Sequence, residues 1–347
     1  MRLSFPVYIP QRLRSLVQGA PETTPPRRFV SGAPVATVVW ALLLVFVLVT
    51  GCRGRVGPPG DDLSTLPGVS GLAWAGPDSF IAVHDAKHPA EPSVPRISLI
   101  RRSGSNGQPT WRPLDVRWPS AEGPSSDLES IARIPGTPQF LLVESGAGRK
   151  PVPHIYLAER HGDKLSIQAA VPWPTTPHNV EGSAVVRVGN ALVFVYAERS
   201  EHEAAGTLGW SPLSTETLRR GGLQWGPVEH VSLRRPDWVP PDTRLVSAVA
   251  ITREGRIYVS SAHDPGGDEG PFQSHIWTVG RLIGDSTGTP VLQHASQPCR
   301  LATLDGFKTE GLALAPDRRS PGVFIGTDDE QFGGAFRPLP IRLSCSQ

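Results

Sequence analysis

Residues 179–198 read NVEGSAVVRVGNALVFVYAE. A polar start bearing Glu181 leads into small and apolar residues, a turn, and a second apolar run that ends on Glu198. This is the pattern of two short antiparallel strands. It returns at Ser70-Gly71-Leu72-Ala73, Glu129-Ser130-Ile131-Ala132, Ser247-Ala248-Val249-Ala250 and Glu310-Gly311-Leu312-Ala313. The closing alanines are separated by 59, 52, 66 and 63 residues. Each is followed by a turn and an apolar strand: SFIAVHD from Ser79, QFLLVES from Gln139, RIYVSSAHD from Arg256 and GVFIGTDD from Gly322. Third strands follow from Arg96, His154 and His275, and fourth strands close some units, as in WRPLDVRW from Trp111 and LSIQAAVPW from Leu165.

A four-stranded unit recurring at this spacing is the signature of a β-propeller blade. The reading is therefore all-β: a propeller of five blades, with six as the alternative count, over residues 67–347. Small residues in each first strand suit the crowded wall of a central channel. The last unit, from Glu310, lacks an evident fourth strand, and residues 63–68 are expected to supply it and close the ring. Composition agrees. The 36 Gly and 37 Pro among 347 residues far exceed the usual combined share of about 12%, which excludes a helical bundle and suits many turns. A β-sandwich with chance repeats is the competing architecture.

Antiparallel pairing dictates where the acids go. The start of a first strand and the end of the second share one face of the disc. Glu129, Glu181 and Glu310 at the starts, and Asp85, Glu144, Glu198, Asp264 and Asp328 at the ends, should therefore meet at one channel mouth. Like charges gathered this way repel unless compensated. A hard divalent cation such as Ca²⁺, which takes carboxylate oxygens, is one compensator. Neighbouring cations, among them His84, Arg199, His263 and Lys308, are the other. The metal set expected is Glu129, Glu144, Glu181, Glu198, Glu310, Asp328, Asp85 and Asp264. Glu129, Glu181 and Glu310 are the expected catalytic carboxylates, and Arg199, Lys308, His84 and His263 the groups that would receive a polar or anionic ligand. The competing view is that each acid caps a turn or pairs with Arg to set blade geometry. Walker, dinucleotide-binding and HExxH patterns are absent, so the chemistry that each supports is not expected.

Three segments, Asp127-Leu128-Glu129-Ser130-Ile131-Ala132, Asn179-Val180-Glu181-Gly182-Ser183-Ala184 and Lys308-Thr309-Glu310-Gly311-Leu312-Ala313, resemble the (N/D)-x-E-G-[IL]-A element of the family named for esterase-like activity of phytase. Val69-Ser70-Gly71-Leu72 resembles its S-G-L opening, and Gly326-Thr327-Asp328-Asp329-Glu330-Gln331-Phe332 its S-D-(D/N)-N-F ending. The resemblance runs along about 270 residues. It implies a secreted propeller related in manner to calcium-dependent phytases. Ser130 in place of Gly and Glu330 in place of Asn depart from the pattern, and a dense phytase set of Asp and Lys is not seen. Two functions follow: a metal-dependent hydrolase of phosphate or other small esters, or a non-catalytic envelope module that binds a protein, a glycan or a small ligand.

The net charge of +2 divides unevenly. Residues 1–51 hold Arg2, Arg12, Arg14, Arg27 and Arg28 against Glu22, leaving the remainder at −2. That gives no compositional case for nucleic-acid binding. Residues 33–51 form an uncharged apolar run after an Arg pair, the form of a secretory signal. Val49-Thr50-Gly51-Cys52 resembles the bacterial lipobox, which implies lipidation at Cys52, a membrane-anchored chain in the bacterial cell envelope and a flexible tether over residues 52–66. An uncleaved anchor helix is the alternative. Cys299 and Cys345 are then the cysteines left to pair in an oxidising compartment, a cross-link worth about 4 kcal/mol by loop entropy. A monomer is expected.

Overall fold

The computed structural model describes residues 66–86, 95–102, 108–121, 123–147, 152–199, 206–316 and 322–344. The expected export segment, the expected lipidation site Cys52, the expected tether through residue 65 and Cys345 lie outside these residues. Among the described residues no helix is long and apolar enough to cross a membrane.

The chain forms a five-bladed β-propeller. Blade one is β1 (Gly71–Gly76), β2 (Ser79–Val83), β3 (Ile97–Arg101) and β4 (Thr110–Pro113), paired antiparallel in sequence order. A short strand, β5 (Asp115–Arg117), follows. Blade two is β6 (Leu128–Arg133), β7 (Gln139–Glu144), β8 (His154–His161) and β9 (Lys164–Pro172). Blade three holds β10 (Val180–Val188), β11 (Ala191–Arg199), β12 (Gly206–Leu213) and β13 (Glu229–Leu233). Blade four holds β14 (Thr243–Ile251), β15 (Arg256–His263), β16 (Gln273–Gly284) and β17 (Pro290–Asp305). Blade five has three strands: β18 (Thr309–Ala315), β19 (Gly322–Thr327) and β20 (Phe336–Leu339).

The apolar runs are second strands buried on both faces. In β11, Leu192, Phe194 and Tyr196 pack toward blade two, while Val193, Val195 and Ala197 pack toward blade four. In β7, Leu141 and Val143 face blade three, and Phe140 and Leu142 face blade one. A period of two with both sets buried reads as an unbroken apolar run. Five apolar clusters, one at each blade interface, close the ring. The closing interface packs Phe80 of blade one, tilted, against Phe324 and Phe336 of blade five, with ring centroids 4.5 and 4.9 Å apart.

Two expectations are corrected. The WRPLDVRW stretch is not one fourth strand. Pro113, lacking an N–H, ends β4, Leu114 is buried, and β5 crosses to pair parallel with β9 at the outer edge of blade two. Of the segment 63–68 expected to complete blade five, residues 63–65 lie outside the described residues, and residues 66–68 form no fourth strand. Pro67 and Gly68 interrupt the segment, and its backbone bonds run to the mouth end of the blade: Gly334 N donates to Leu66 O at 2.7 Å and Val69 N to Thr327 O at 2.8 Å.

Candidate metal centre

The three repeated glutamates share one backbone device. In blade two, Leu128 lies opposite Glu144 and Ser130 opposite Val143, so Glu129 is an extra residue in the strand. Glu181 stands between the pairs Val180–Glu198 and Gly182–Ala197. Glu310 stands between Thr309–Thr327 and Gly311–Gly326. Each is the bulged residue of a first strand, and a bulge re-aims its side chain. Two residues earlier, Asp127 (φ 63°) and Asn179 (φ 57°) are left-handed, a conformation that Asp and Asn tolerate best among residues with a side chain. This is the physical content of the repeated (N/D)-x-E pattern. The residue after the bulge is where blades touch. A Cβ on Gly182 would sit 2.5 Å from Val249 N of blade four, so glycine is required there.

The acids that end the second strands do a different job. Glu144 accepts from Ser126 N at 2.9 Å, His154 N at 2.8 Å and Tyr156 Oη at 2.9 Å. Glu198 accepts from His178 N at 3.1 Å. Asp329 accepts from Lys308 N at 2.7 Å and Thr327 Oγ1 at 2.5 Å, and burial pushes its carboxyl up to about 6. Each braces the turn that enters a first strand. Glu144, expected as a metal ligand, has both oxygens committed to donors of its own blade, and Glu198 braces the turn at His178 in the same way.

His84 is likewise an internal brace rather than a ligand-receiving group. Its Nδ1 donates to Gly68 O at 2.7 Å, and its Nε2 accepts from Ser98 Oγ at 2.8 Å. The ring is buried, and that burial holds its pKa down at about 4. His263 is half-buried at the end of β15, with Nδ1 3.5 Å from Asp242 Oδ2.

Within the mouth the charges separate into two halves. On the side of blades three to five, cations neutralise the acids. Arg199 Nε lies 3.2 Å from Glu181. Arg244 Nη2 lies 2.8 Å from Asp264, and its Nη1 3.3 Å from Glu310. Lys308 Nζ reaches Glu310 at 3.3 Å, Asp264 at 3.5 Å and Asp328 at 3.9 Å, and also contacts Glu330. Burial works against the Lys308 charge, but Glu310 and Asp328 outweigh it and hold its pKa above the usual range. Asp264, despite burial, is held below the usual range by Gly266 N–H, Arg244 and Lys308. Burial still raises Glu181, Glu310 and Asp328 against the pull of their cations. Gly68 leaves room for Asp328; a Cβ there would sit 2.1 Å from its Oδ1.

On the side of blades one and two, no ion pair to Asp127 or Glu129 is found among the described residues. Carboxylate oxygens of Asp85, Asp127 and Glu129 lie within 4.8 Å of one another. Asp127 is buried and also accepts from Ser145 Oγ. Burial, then Glu181, Asp85, Glu310 and Asp127, all push Glu129 well above the usual carboxylate range. The acidic triad of Asp85, Asp127 and Glu129 could hold a metal ion. Its donors are all oxygens, which suits a hard divalent cation.

The structure thus brings Asp85 and Glu129 of the expected metal set together and adds Asp127. It places Glu181, Glu310, Asp264 and Asp328 in the ion-paired half beside Arg199 and Lys308. Asp127 was legible as the first letter of the D-x-E repeat. Arg244 was not, because β14 departs from the common register: Arg244 faces Ala262 while Ala248 faces Ser260, and two extra residues let it reach the place left by Ser247.

No family model matches the chain, and no curated protein matches it. Among solved structures it is similar to an endo-arabinase from Bacteroides thetaiotaomicron VPI-5482, at 9% identity over 84% of this chain and 99% of that one, with a TM-score of 0.51. A GH43 endo-arabinanase from Bacillus licheniformis aligns at 10% identity over 82% and 96% of the two chains, with a TM-score of 0.44. At 9% identity the likeness to the endo-arabinase from Bacteroides thetaiotaomicron shows a shared propeller fold alone, and function has to be argued from this chain's own residues.

Proposed function

We propose that the chain is a divalent-metal-dependent hydrolase of phosphate or other small esters, working at the acidic channel mouth. The observation that carries this reading is the Asp85–Asp127–Glu129 cluster, whose acids gather within 4.8 Å and whose Glu129 is raised by burial and by its neighbouring acids. The donor chemistry favours Ca²⁺, which takes six to eight oxygens. Three carboxylates leave places for water and substrate. A bound divalent ion would stabilise developing charge and activate a water.

The chain's own groups complete the reading. Arg199 engages Glu181 through Nε, and its remaining guanidinium donors suit an anionic ester. Glu181 positions that guanidinium. Glu310, held above the usual range by burial, is the group suited to exchange a proton with the leaving oxygen. The resemblance to the esterase-like family supports the ester class. The fold neighbour's name, an endo-arabinase, adds a glycoside to the substrates worth testing. The apolar run over residues 33–51 and the lipobox-like Val49-Thr50-Gly51-Cys52 support a chain anchored through Cys52 at the bacterial envelope. Cys299 is disulfide-bonded, which supports its pairing with Cys345 in an oxidising compartment.

The test is turnover of p-nitrophenyl phosphate, acetate and arabinofuranoside, with calcium and with chelator. Metal-dependent turnover should fall at least tenfold in Glu181→Gln. Full turnover in that variant contradicts the assignment. A second reading, a non-catalytic binding propeller, is favoured by the ion pairs that neutralise Glu181, Asp264 and Glu310. It predicts no turnover on any of the three substrates.

A further inference from the structure

Two of the three inner strands that start in glutamate, β6 and β10, carry arginine near the far end, and another arginine follows the inner strand of blade four. Six residues after Glu181 comes Arg187, four after Glu129 comes Arg133, and six after Ser247 comes Arg253. At about 3.3 Å per residue the two ends of such a strand lie some 13–20 Å apart along the channel. The far end opens into a cavity of about 680 Å³ bounded by the inner strands of all five blades. Its walls are apolar, including Leu72, Ile131, Val249, Ile251, Leu312 and Leu314, and its charged lining residues are Arg133, Arg187 and Arg253, with no acid among the lining residues.

Arg133 is the unusual member. Its Nε and Nη1 are buried without a hydrogen-bond partner. Its Nη2 makes only a 3.4 Å contact to Thr137 O, and its guanidinium stacks 4.3 Å above the Trp74 ring. Buried donors left unmade are costly, and a guanidinium is built for a carboxylate. An apolar chamber of this volume lies within the range of small-molecule sites, roughly 300–1,000 Å³.

We propose that this end of the channel binds an amphiphilic carboxylate, its hydrocarbon body among the inner strands and its head at Arg133. Arg187 and Arg253 at the rim are both exposed and draw the anion in. The site is chemically opposite to the acidic mouth and does not depend on a metal there.

Calorimetry on the full chain with decanoate tests it. Decanoate should bind one per chain. Decanol, with the same body and no charge, and acetate, with the charge and no body, should each bind at least tenfold more weakly. Arg133→Gln should weaken decanoate at least tenfold. Ala184→Leu, which narrows the chamber without touching an arginine, should do the same. Arg187→Gln, at an exposed position, provides a variant that folds and should weaken binding by a smaller factor. Glu129→Gln, at the other mouth, should leave decanoate binding unchanged. Absence of decanoate binding, binding equal to that of decanol, or binding indifferent to all three channel variants overturns the proposal.

Discussion

Replacing Glu129 with Gln should make the metal-free protein more stable and remove its response to calcium. Glu129 lies within 4.8 Å of Asp85 and Asp127 oxygens. At that distance two full charges repel by about 3 kcal/mol at an effective dielectric of 20, and by about 1 kcal/mol in water. Glu129 also lacks a cationic partner among the described residues, so a neutral amide removes repulsion and breaks no ion pair. Burial and the neighbouring acids already make Glu129 take up a proton more readily than an ordinary carboxylate, which relieves part of the repulsion, so the gain at pH 8 should be about 1–3 kcal/mol. For a domain of this size that is a rise in Tm of roughly 2–10 °C. Saturating calcium should raise the wild-type Tm by a comparable amount, since a ligand at a hundred times its Kd adds about 2.7 kcal/mol. Glu129→Gln should show no such rise. The assay is thermal unfolding followed by circular dichroism, with chelator and with calcium. A variant that melts below wild type in chelator, or that gains as much from calcium, refutes the reasoning.

Glu144→Gln should do the reverse. It disrupts a carboxylate that accepts three hydrogen bonds, so denaturant unfolding should show a loss of about 2–4 kcal/mol, while the calcium-induced Tm shift of the remaining folded protein stays as in wild type. His84 gives a pH signature. Its folded pKa of about 4 lies below the ordinary 6.5, so the unfolded chain takes the proton first. The stability that the neutral ring contributes is complete above about pH 6.5 and is lost as pH falls toward 4, by about 3 kcal/mol. Urea unfolding of wild type and His84→Gln across that window should show the difference between them shrinking as pH falls; a constant difference contradicts the neutral buried ring.

Much of the propeller was legible because its blades repeat both an apolar period and a polar mark. The runs in β2, β7, β11 and β19 could be recognised as strands buried on both faces, and the small residues before them as channel wall. The mouth was legible as a place, since antiparallel pairing forces strand starts and ends together. What could not be read was the division of labour among its acids. Glu129 and Glu144 look alike in sequence, yet one is lifted out of the ladder by a bulge and the other is drawn into it by Ser126, His154 and Tyr156. A bulge is a one-residue shift in register, and that shift depends on the partner strand. The same limit hid Arg244, whose reach follows from the extra residues in β14. It also hid the crossing of β5 to the next blade and the course of Leu66–Val69, both set by tertiary pairing rather than local preference.

The central claim, that the mouth holds a divalent cation at Asp85, Asp127 and Glu129, is tested most directly by calcium calorimetry on the metal-stripped full chain beside Asp127→Asn. The account predicts one site per chain in wild type and at least a tenfold loss of affinity in the variant, with folding intact. No heat of binding in wild type, or equal affinity in Asp127→Asn, contradicts it.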